Sequence, residues 1–302
     1  MRNYFILTGP TGTGKSKLGM LLAEEFSCSI LSVDSMQVYR EMDIGSAKSS
    51  KEERALIQHE LLDVVAPNEH FDVARFLELS QKAYDKCEGK ILGVGGTPFY
   101  IKALEDGLAN LEILPNLEEI LQKIPADELR EMLEVLDPKR ASAILPNDRY
   151  RLERALAIIF STGKKPSSFL DNPPPKIAST TLVALNCDRK LMHERLKMRI
   201  DKMFEMGLLE EARALYDRKD LSKTAAAGVG YKELFQYFEG EWSLELAKEK
   251  ILIATRRLFK HQMTWLRKMP VEWIDVHPDG VEEALPKLRE MLTKHFESIK
   301  AE

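Results

Sequence analysis

Residues Tyr4 to Thr8 form an apolar run that stops at Gly9-Pro10, and Lys17 to Phe26 then space their apolar side chains along one helical face. The order is strand, loop, helix. The same alternation returns twice. Ser29 to Val33 reads as a strand ending at Asp34-Ser35, and Lys90 to Val94 as a strand ending at Gly95-Gly96-Thr97-Pro98. Strands alternating with helices predict a parallel sheet with crossover connections. After Leu108 the pattern changes to short helical segments broken by Pro115, Pro125, Pro138 and Pro146, with no strand pattern before residue 179. This predicts an inserted helical domain, closed by Ser161-Thr162-Gly163-Lys164-Lys165-Pro166 and Pro173-Pro174-Pro175, which suit a hinge or linker and a mobile insert. Thr180 to Asn186 reads as a returning strand. Helical patterns cover Leu191 to Tyr216, Tyr231 to Phe238 and Leu244 to Arg267, followed by a short strand over Val271 to Val276 and a last helix to about Ser298. The expected domains are a core over 1–112, an insert over 113–178 and the rest of the core over 179–302.

Composition changes this picture little. In 302 residues, 44% hydrophobic and 30% charged content is that of a globular chain that buries a core. No window approaches the roughly 20 consecutive apolar residues of a membrane-spanning helix. The N-terminus runs directly into a strand rather than a cleavable signal, and a cytoplasmic protein with no membrane partner is expected. Cys28, Cys87 and Cys187 are far apart and show no CxxC spacing, so they read as reduced packing residues. A net charge of -4 argues against nonspecific coating of nucleic acid, although local basic clusters could bind RNA. No histidine pair has the spacing of a transition-metal site.

The chemistry is concentrated at the strand ends. Gly9-Pro10-Thr11-Gly12-Thr13-Gly14-Lys15-Ser16 fits G-x-x-x-x-G-K-[ST], in which backbone N–H groups curl around a phosphate chain at a helix N-terminus. Lys15 would neutralise phosphate oxygens, and the Ser16 hydroxyl would hold Mg²⁺. The fold class is therefore α/β, a P-loop NTPase-like parallel sheet core with an inserted all-helical domain. Asp34, at the carboxyl end of the second strand, could serve as a base, as a metal ligand or as a turn cap. Thr97 suits a helix N-cap before Pro98, while Gly95 and Gly96 would let backbone approach a ligand; the two roles are compatible. Arg151 and Arg154 share a helical face that is either solvated or bound to RNA. Trp265, set among Arg256, Arg257, Lys260, His261, Arg267 and Lys268, is either a core residue or a stacking surface.

The P-loop string is followed by Ser32-Val33-Asp34-Ser35-Met36-Gln37-Val38-Tyr39 and by Met42-Asp43-Ile44-Gly45-Ser46-Ala47-Lys48. Further along come Val94-Gly95-Gly96-Thr97, Asn147-Asp148 with Arg151 and Arg154, Arg199 with Met203 and Gly207-Leu208, Gly230-Tyr231-Lys232-Glu233, and Gln262 with Thr264-Trp265. In this order, over nearly the whole chain, they resemble the tRNA dimethylallyltransferase family. The absence of a C-terminal zinc finger resembles its bacterial members.

The resemblance implies transfer of a dimethylallyl group from dimethylallyl pyrophosphate to the N6 amine of the adenosine adjacent to the tRNA anticodon. It makes Asp34 the general base, has Thr97 position the reacting centre, and joins Arg199 to Lys15 on the pyrophosphate. It assigns Asp34, Ser35, Met36, Gln37 and Thr97 to the target base, and Arg151 and Arg154 to the anticodon stem-loop. Mg²⁺ is the expected cofactor and a monomer the expected state. Three other readings remain: an adenylate dimethylallyltransferase using free AMP, a P-loop small-molecule or nucleotide kinase, and a non-catalytic RNA-binding module.

Overall fold

The computed structural model describes residues 2–87, 90–108, 111, 113–171, 176–277 and 280–301. These form two compact units, one from Met1–Glu105 with Ile177–Glu302 and one from Asp106–Lys176. The tract Pro173-Pro174-Pro175 lies outside the described residues.

The larger unit is built on a six-stranded sheet. Its strands are β1 (Arg2–Thr8), β2 (Cys28–Ser32), β3 (His59–Glu60), β4 (Lys90–Val94), β5 (Ala178–Asn186) and β6 (Glu272–Asp275). The order is β3-β2-β4-β1-β5-β6, with every pairing parallel. Both faces of β1 are covered, as parallel sheets require. Tyr4 and Ile6 join one apolar cluster with Leu31 and Ile101, while Phe5 and Leu7 join another with Leu18, Leu22 and Leu92. The period-2 alternation of a strand thus feeds two cores from one contiguous apolar run.

Register brings the functional strand ends together. Leu7 of β1 lies beside Val94 of β4, and Val94 lies beside Ser32 of β2. The segments following these residues are the Gly9–Ser16 loop, Gly95-Gly96-Thr97 and Asp34. Three motifs separated by tens of residues therefore emerge along one edge, where open α/β sheets place their ligands.

The structure departs from the expected elements at several points. β3, only two residues long, carries too little pattern to be seen in sequence. The helical pattern from Leu191 to Tyr216 is two helices, Arg189–Glu205 and Leu208–Arg218. Gly207 breaks it at φ 100°, a left-handed value costly for other residues. Around the expected hinge, Gly163 at φ 67° caps the helix Arg149–Thr162, but Pro166 opens a further helix, Pro166–Asp171.

The smaller unit is all helical, with Leu117–Leu121, Ala126–Leu136, Pro138–Ser142 and Arg149–Thr162 preceding Pro166–Asp171. It has its own core of Leu121, Leu129, Leu133, Leu152 and Leu156. Its caps follow from sequence. The Asp148 side chain accepts the Arg151 N–H at 3.2 Å. Asp137 accepts the N–H groups of Arg140 at 3.0 Å and Ser167 at 2.8 Å.

Candidate active site

The helix Lys15–Phe26 starts from Gly14 with neither a side-chain cap nor an acidic residue in its first turn. Its first N–H groups and the positive end of its dipole are thereby left to an anion. Gly9 must be glycine for two reasons. Its φ is 141°, and a Cβ there would lie 2.9 Å from the Leu185 carbonyl oxygen. The loop is tied to itself by Thr13 Oγ1, which donates to the Pro10 carbonyl at 2.9 Å. Lys15 Nζ donates to the same carbonyl at 3.1 Å.

Lys15 and Arg199 are the electrostatic centre. Burial lowers the Lys15 ammonium from its usual 10.5 to about 8; the Arg199 charge adds to the drop, and Asp34 opposes it. Burial also lowers Arg199, again opposed by Asp34. Neither cation has a carboxylate at ion-pair distance among the described residues. Two enclosed cations so placed form an environment suited to a polyanion.

Asp34 sits beside them. Its Oδ1 accepts the N–H groups of Met36 at 2.8 Å and Gln37 at 3.3 Å, which locks the carboxylate in a turn. Its Oδ2 has no hydrogen-bond partner among the described residues, and Asp34 lines the cavity. The turn-cap and base readings are therefore both accommodated by one side chain. Thr97 also has two roles. Its carbonyl accepts the Ile101 N–H at 3.2 Å, as a helix N-cap does, and its Oγ1 accepts the Ser35 N–H at 3.2 Å. Thr97 thus links β4 to the residue following Asp34.

A cavity of about 330 Å³ is lined by Thr11, Lys15, Ser16, Asp34, Ser35, Met36, Gln37, Thr97 and Arg199 among others. Six of its residues, including Lys15, Ser16 and Arg199, also line a second cavity of about 520 Å³ that is ringed by Lys17, Lys51, Arg54, Arg195 and Lys202. The two chambers meet at the Lys15–Arg199 pair, and the second presents a strongly cationic mouth. Of the predicted P-loop residues, Thr11, Lys15 and Ser16 face the first chamber, and Gly12, Gly14, Lys15 and Ser16 the second. Gly9, Pro10 and Thr13 shape the loop instead.

Sequence reading did not give Gln262 a role at the site. It is 6% exposed; its Oε1 accepts the Thr11 N–H at 2.9 Å and its Nε2 donates to the Gly96 carbonyl at 2.6 Å. One carboxamide thus fastens the phosphate loop to the turn that carries Thr97. The available signal was a polar residue on the buried stripe Ile251, Thr255, Gln262, Leu266 of the helix Leu244–Leu266. Trp265 is half-buried, edge-on to the exposed Phe99 with centroids 6.3 Å apart, and its indole N–H donates to His261 Nε2 at 3.1 Å.

Arg151 and Arg154 lie on the helix Arg149–Thr162 of the smaller unit. Both are exposed there, Arg151 beside Asp148 at 3.3 Å and Arg154 beside Glu118 at 3.2 Å. Arg149, two residues away, is structural. Its guanidinium bonds Glu153 at 2.6 Å and the carbonyls of Gln122 and Ile124 at 2.7 Å each.

A glycine-rich loop opening onto a helix, two enclosed cations and a carboxylate at adjoining strand ends give the fold and site of the P-loop class, suited to a phosphorylated ligand. Comparison narrows the class. The IPP transferase family model matches residues 37–269, and the isopentenyl transferase model matches residues 1–64. A tRNA dimethylallyltransferase of Nautilia profundicola is 37% identical, over 93% of this chain and 98% of that one. One from Lactobacillus johnsonii is also 37% identical, over 97% and 100%. The crystal structure of the tRNA isopentenylpyrophosphate transferase of Bacillus halodurans superimposes with a TM-score of 0.73 at 31% identity, covering 99% of this chain and 98% of that one. A eukaryotic dimethylallyltransferase acting on tRNA gives a TM-score of 0.80 at 27% identity, over 91% and 74%. The chain belongs to the IPP transferase family.

Proposed function

We propose that this enzyme transfers the dimethylallyl group from dimethylallyl pyrophosphate to the N6 amine of the adenosine adjacent to the anticodon of tRNA. The observation that carries this reading is the pair Lys15 and Arg199, enclosed and with no carboxylate at ion-pair distance among the described residues, in the field of Asp34, whose Oδ2 has no hydrogen-bond partner among them. Pyrophosphate matches the cations, and an amine that must lose a proton matches Asp34.

In the reaction the adenine N6 attacks the allylic carbon, forming the N–C bond as the C–O bond to pyrophosphate breaks. The exocyclic amine is a poor nucleophile because its lone pair is delocalised into the ring, so proton transfer to Asp34 Oδ2 lowers the barrier. Charge developing on the departing oxygens is met by loop N–H groups, Lys15 and Arg199. Thr97 and the Ser35–Gln37 turn position the base beside Asp34. An adenine stacked in a loop cannot reach this crevice, so it enters flipped out, and Arg151 and Arg154 hold the anticodon stem-loop by phosphate contacts.

The residues fit Mg²⁺ in a particular way. The Ser16 hydroxyl has no partner among the described residues, and no group of three or more His, Cys, Asp or Glu side chains able to hold a metal occurs among them. The Ser16 hydroxyl would hold Mg²⁺, as in P-loop proteins generally. When bound, it would add positive charge beside the leaving group. The expected state is a cytoplasmic monomer; no helix among the described residues is long and apolar enough to cross a membrane.

The test is incubation with radiolabelled dimethylallyl pyrophosphate, Mg²⁺ and either unmodified tRNA or AMP, followed by nucleoside analysis. Label in a tRNA adenosine is the expected result. Label in AMP alone would move the acceptor to a free nucleotide, and no label with either would refute prenyl transfer.

A further inference from the structure

An uncharged part of the first cavity's wall comes from two loops, Gly45-Ser46-Ala47 and Ala227-Gly228-Val229, the first of which also reaches the second cavity at Ala47. Two residues from outside the cavity hold this part of its wall.

Glu211, on the helix Leu208–Arg218, aims its carboxylate at three consecutive amides. It accepts the N–H of Asp43 at 2.9 Å, of Ile44 at 2.8 Å and of Gly45 at 3.0 Å. Tyr231 Oη donates to the same carboxylate at 2.6 Å. Burial and the Glu211 charge push the phenol well above its ordinary range, so it remains a donor. The Tyr231 ring is 1% exposed and is wedged between the two loops. A Cβ on Gly45 would lie 2.5 Å from its Cζ, and one on Gly228 would lie 3.0 Å from its Cδ2. The ring therefore sets the distance to both halves of the wall.

The anchored turn connects to the chemistry. Ala47 is held at φ 49°, which costs a non-glycine residue free energy and persists only when its surroundings enforce it. The carbonyls of Ser46 and Ala47 accept Gln37 Nε2 at 3.3 and 3.2 Å, and the Gln37 N–H is one of the two donors to Asp34.

We propose that Glu211 and Tyr231 are positioning residues that hold this uncharged part of the cavity wall and, through Gln37, the orientation of the Asp34 carboxylate toward the acceptor base. This rests on the acceptor reading given above. A carboxylate suits the task because it only accepts. A glutamine would turn an N–H₂ toward backbone donors and leave some unpaired.

The experiment compares wild type with Tyr231→Phe, Glu211→Gln and Glu211→Asp by steady-state kinetics, melting temperature and amide hydrogen exchange. Tyr231→Phe keeps the ring and removes one hydrogen bond, so it tests the idea even where Glu211→Gln fails to fold. The expected result is a roughly tenfold loss in kcat/KM for tRNA with KM for dimethylallyl pyrophosphate unchanged, and partial recovery in Glu211→Asp. Exchange at Ile44 and Gly45 should quicken by about tenfold while that of the β1 amides does not change. Wild-type kinetics and wild-type exchange in Tyr231→Phe would overturn the proposal, as would equal losses toward both substrates that follow the fall in melting temperature. A wild-type protein that labels no tRNA would count against the acceptor reading alone, and the exchange measurement would still decide the anchor.

Discussion

Replacing Lys15 by Met should stabilise the ligand-free protein while abolishing its affinity for pyrophosphate. The ammonium is lowered from 10.5 to about 8 chiefly by burial. Holding it charged at pH 7 in the fold therefore costs about 3 kcal/mol relative to the unfolded chain. Methionine keeps much of the stem and removes the charge, and it forfeits the bond from Nζ to the Pro10 carbonyl, worth about 1 kcal/mol. The net gain is about 2 kcal/mol, or a rise of roughly 5 °C in melting temperature for a unit of this size. The sign of the pH dependence follows. Between pH 8 and 10.5 the unfolded chain keeps a proton that folded Lys15 has released, so this group's contribution to wild-type stability rises with pH in that window. The advantage of Lys15→Met should shrink accordingly. Thermal unfolding at pH 7 and at pH 10, with and without inorganic pyrophosphate, reads both effects, and calorimetry reads the affinity. A Lys15→Met protein that melts below wild type at pH 7, or binds pyrophosphate as wild type does, would refute the view of Lys15 as an enclosed cation awaiting an anion.

Asp34→Asn should keep tRNA affinity and lower turnover by about 10²-fold or more, as expected on losing a general base; single-turnover rates with tRNA binding measured in parallel would show it. Arg151→Ala should weaken tRNA binding and reduce the salt dependence of that binding by about one phosphate contact, while turnover at saturating tRNA stays near wild type; a filter-binding salt series decides this. Arg149→Ala should instead destabilise the helical unit by about 2 kcal/mol, because it removes the cation from Glu153, 9% exposed, and a donor from the part-buried Ile124 carbonyl; the loss should appear in unfolding curves.

The sequence alone reached the parts of this protein that depend on local backbone demands. A phosphate loop needs glycines at left-handed positions and a strand and helix on either side, so Gly9 to Ser16 declared itself. Asp34 and Thr97 were legible because Asp34 directly follows an apolar run and Thr97 follows one after Gly95-Gly96, and a parallel sheet gathers such ends. Family resemblance supplied Arg199, which lies on a helix with no local mark of its role. Tertiary structure decided the rest. Gln262 meets Thr11 and Gly96 across 251 and 166 residues, and Glu211 meets Asp43 across 168; no spacing rule spans such separations. Helical spacing put Arg151 and Arg154 on one face, yet it could not show that neighbouring Arg149 is spent on holding carbonyls, because that depends on which helix ends pack nearby. Periodicity identifies which side chains share a face, but only the packed chain determines which distant backbone groups those side chains must satisfy.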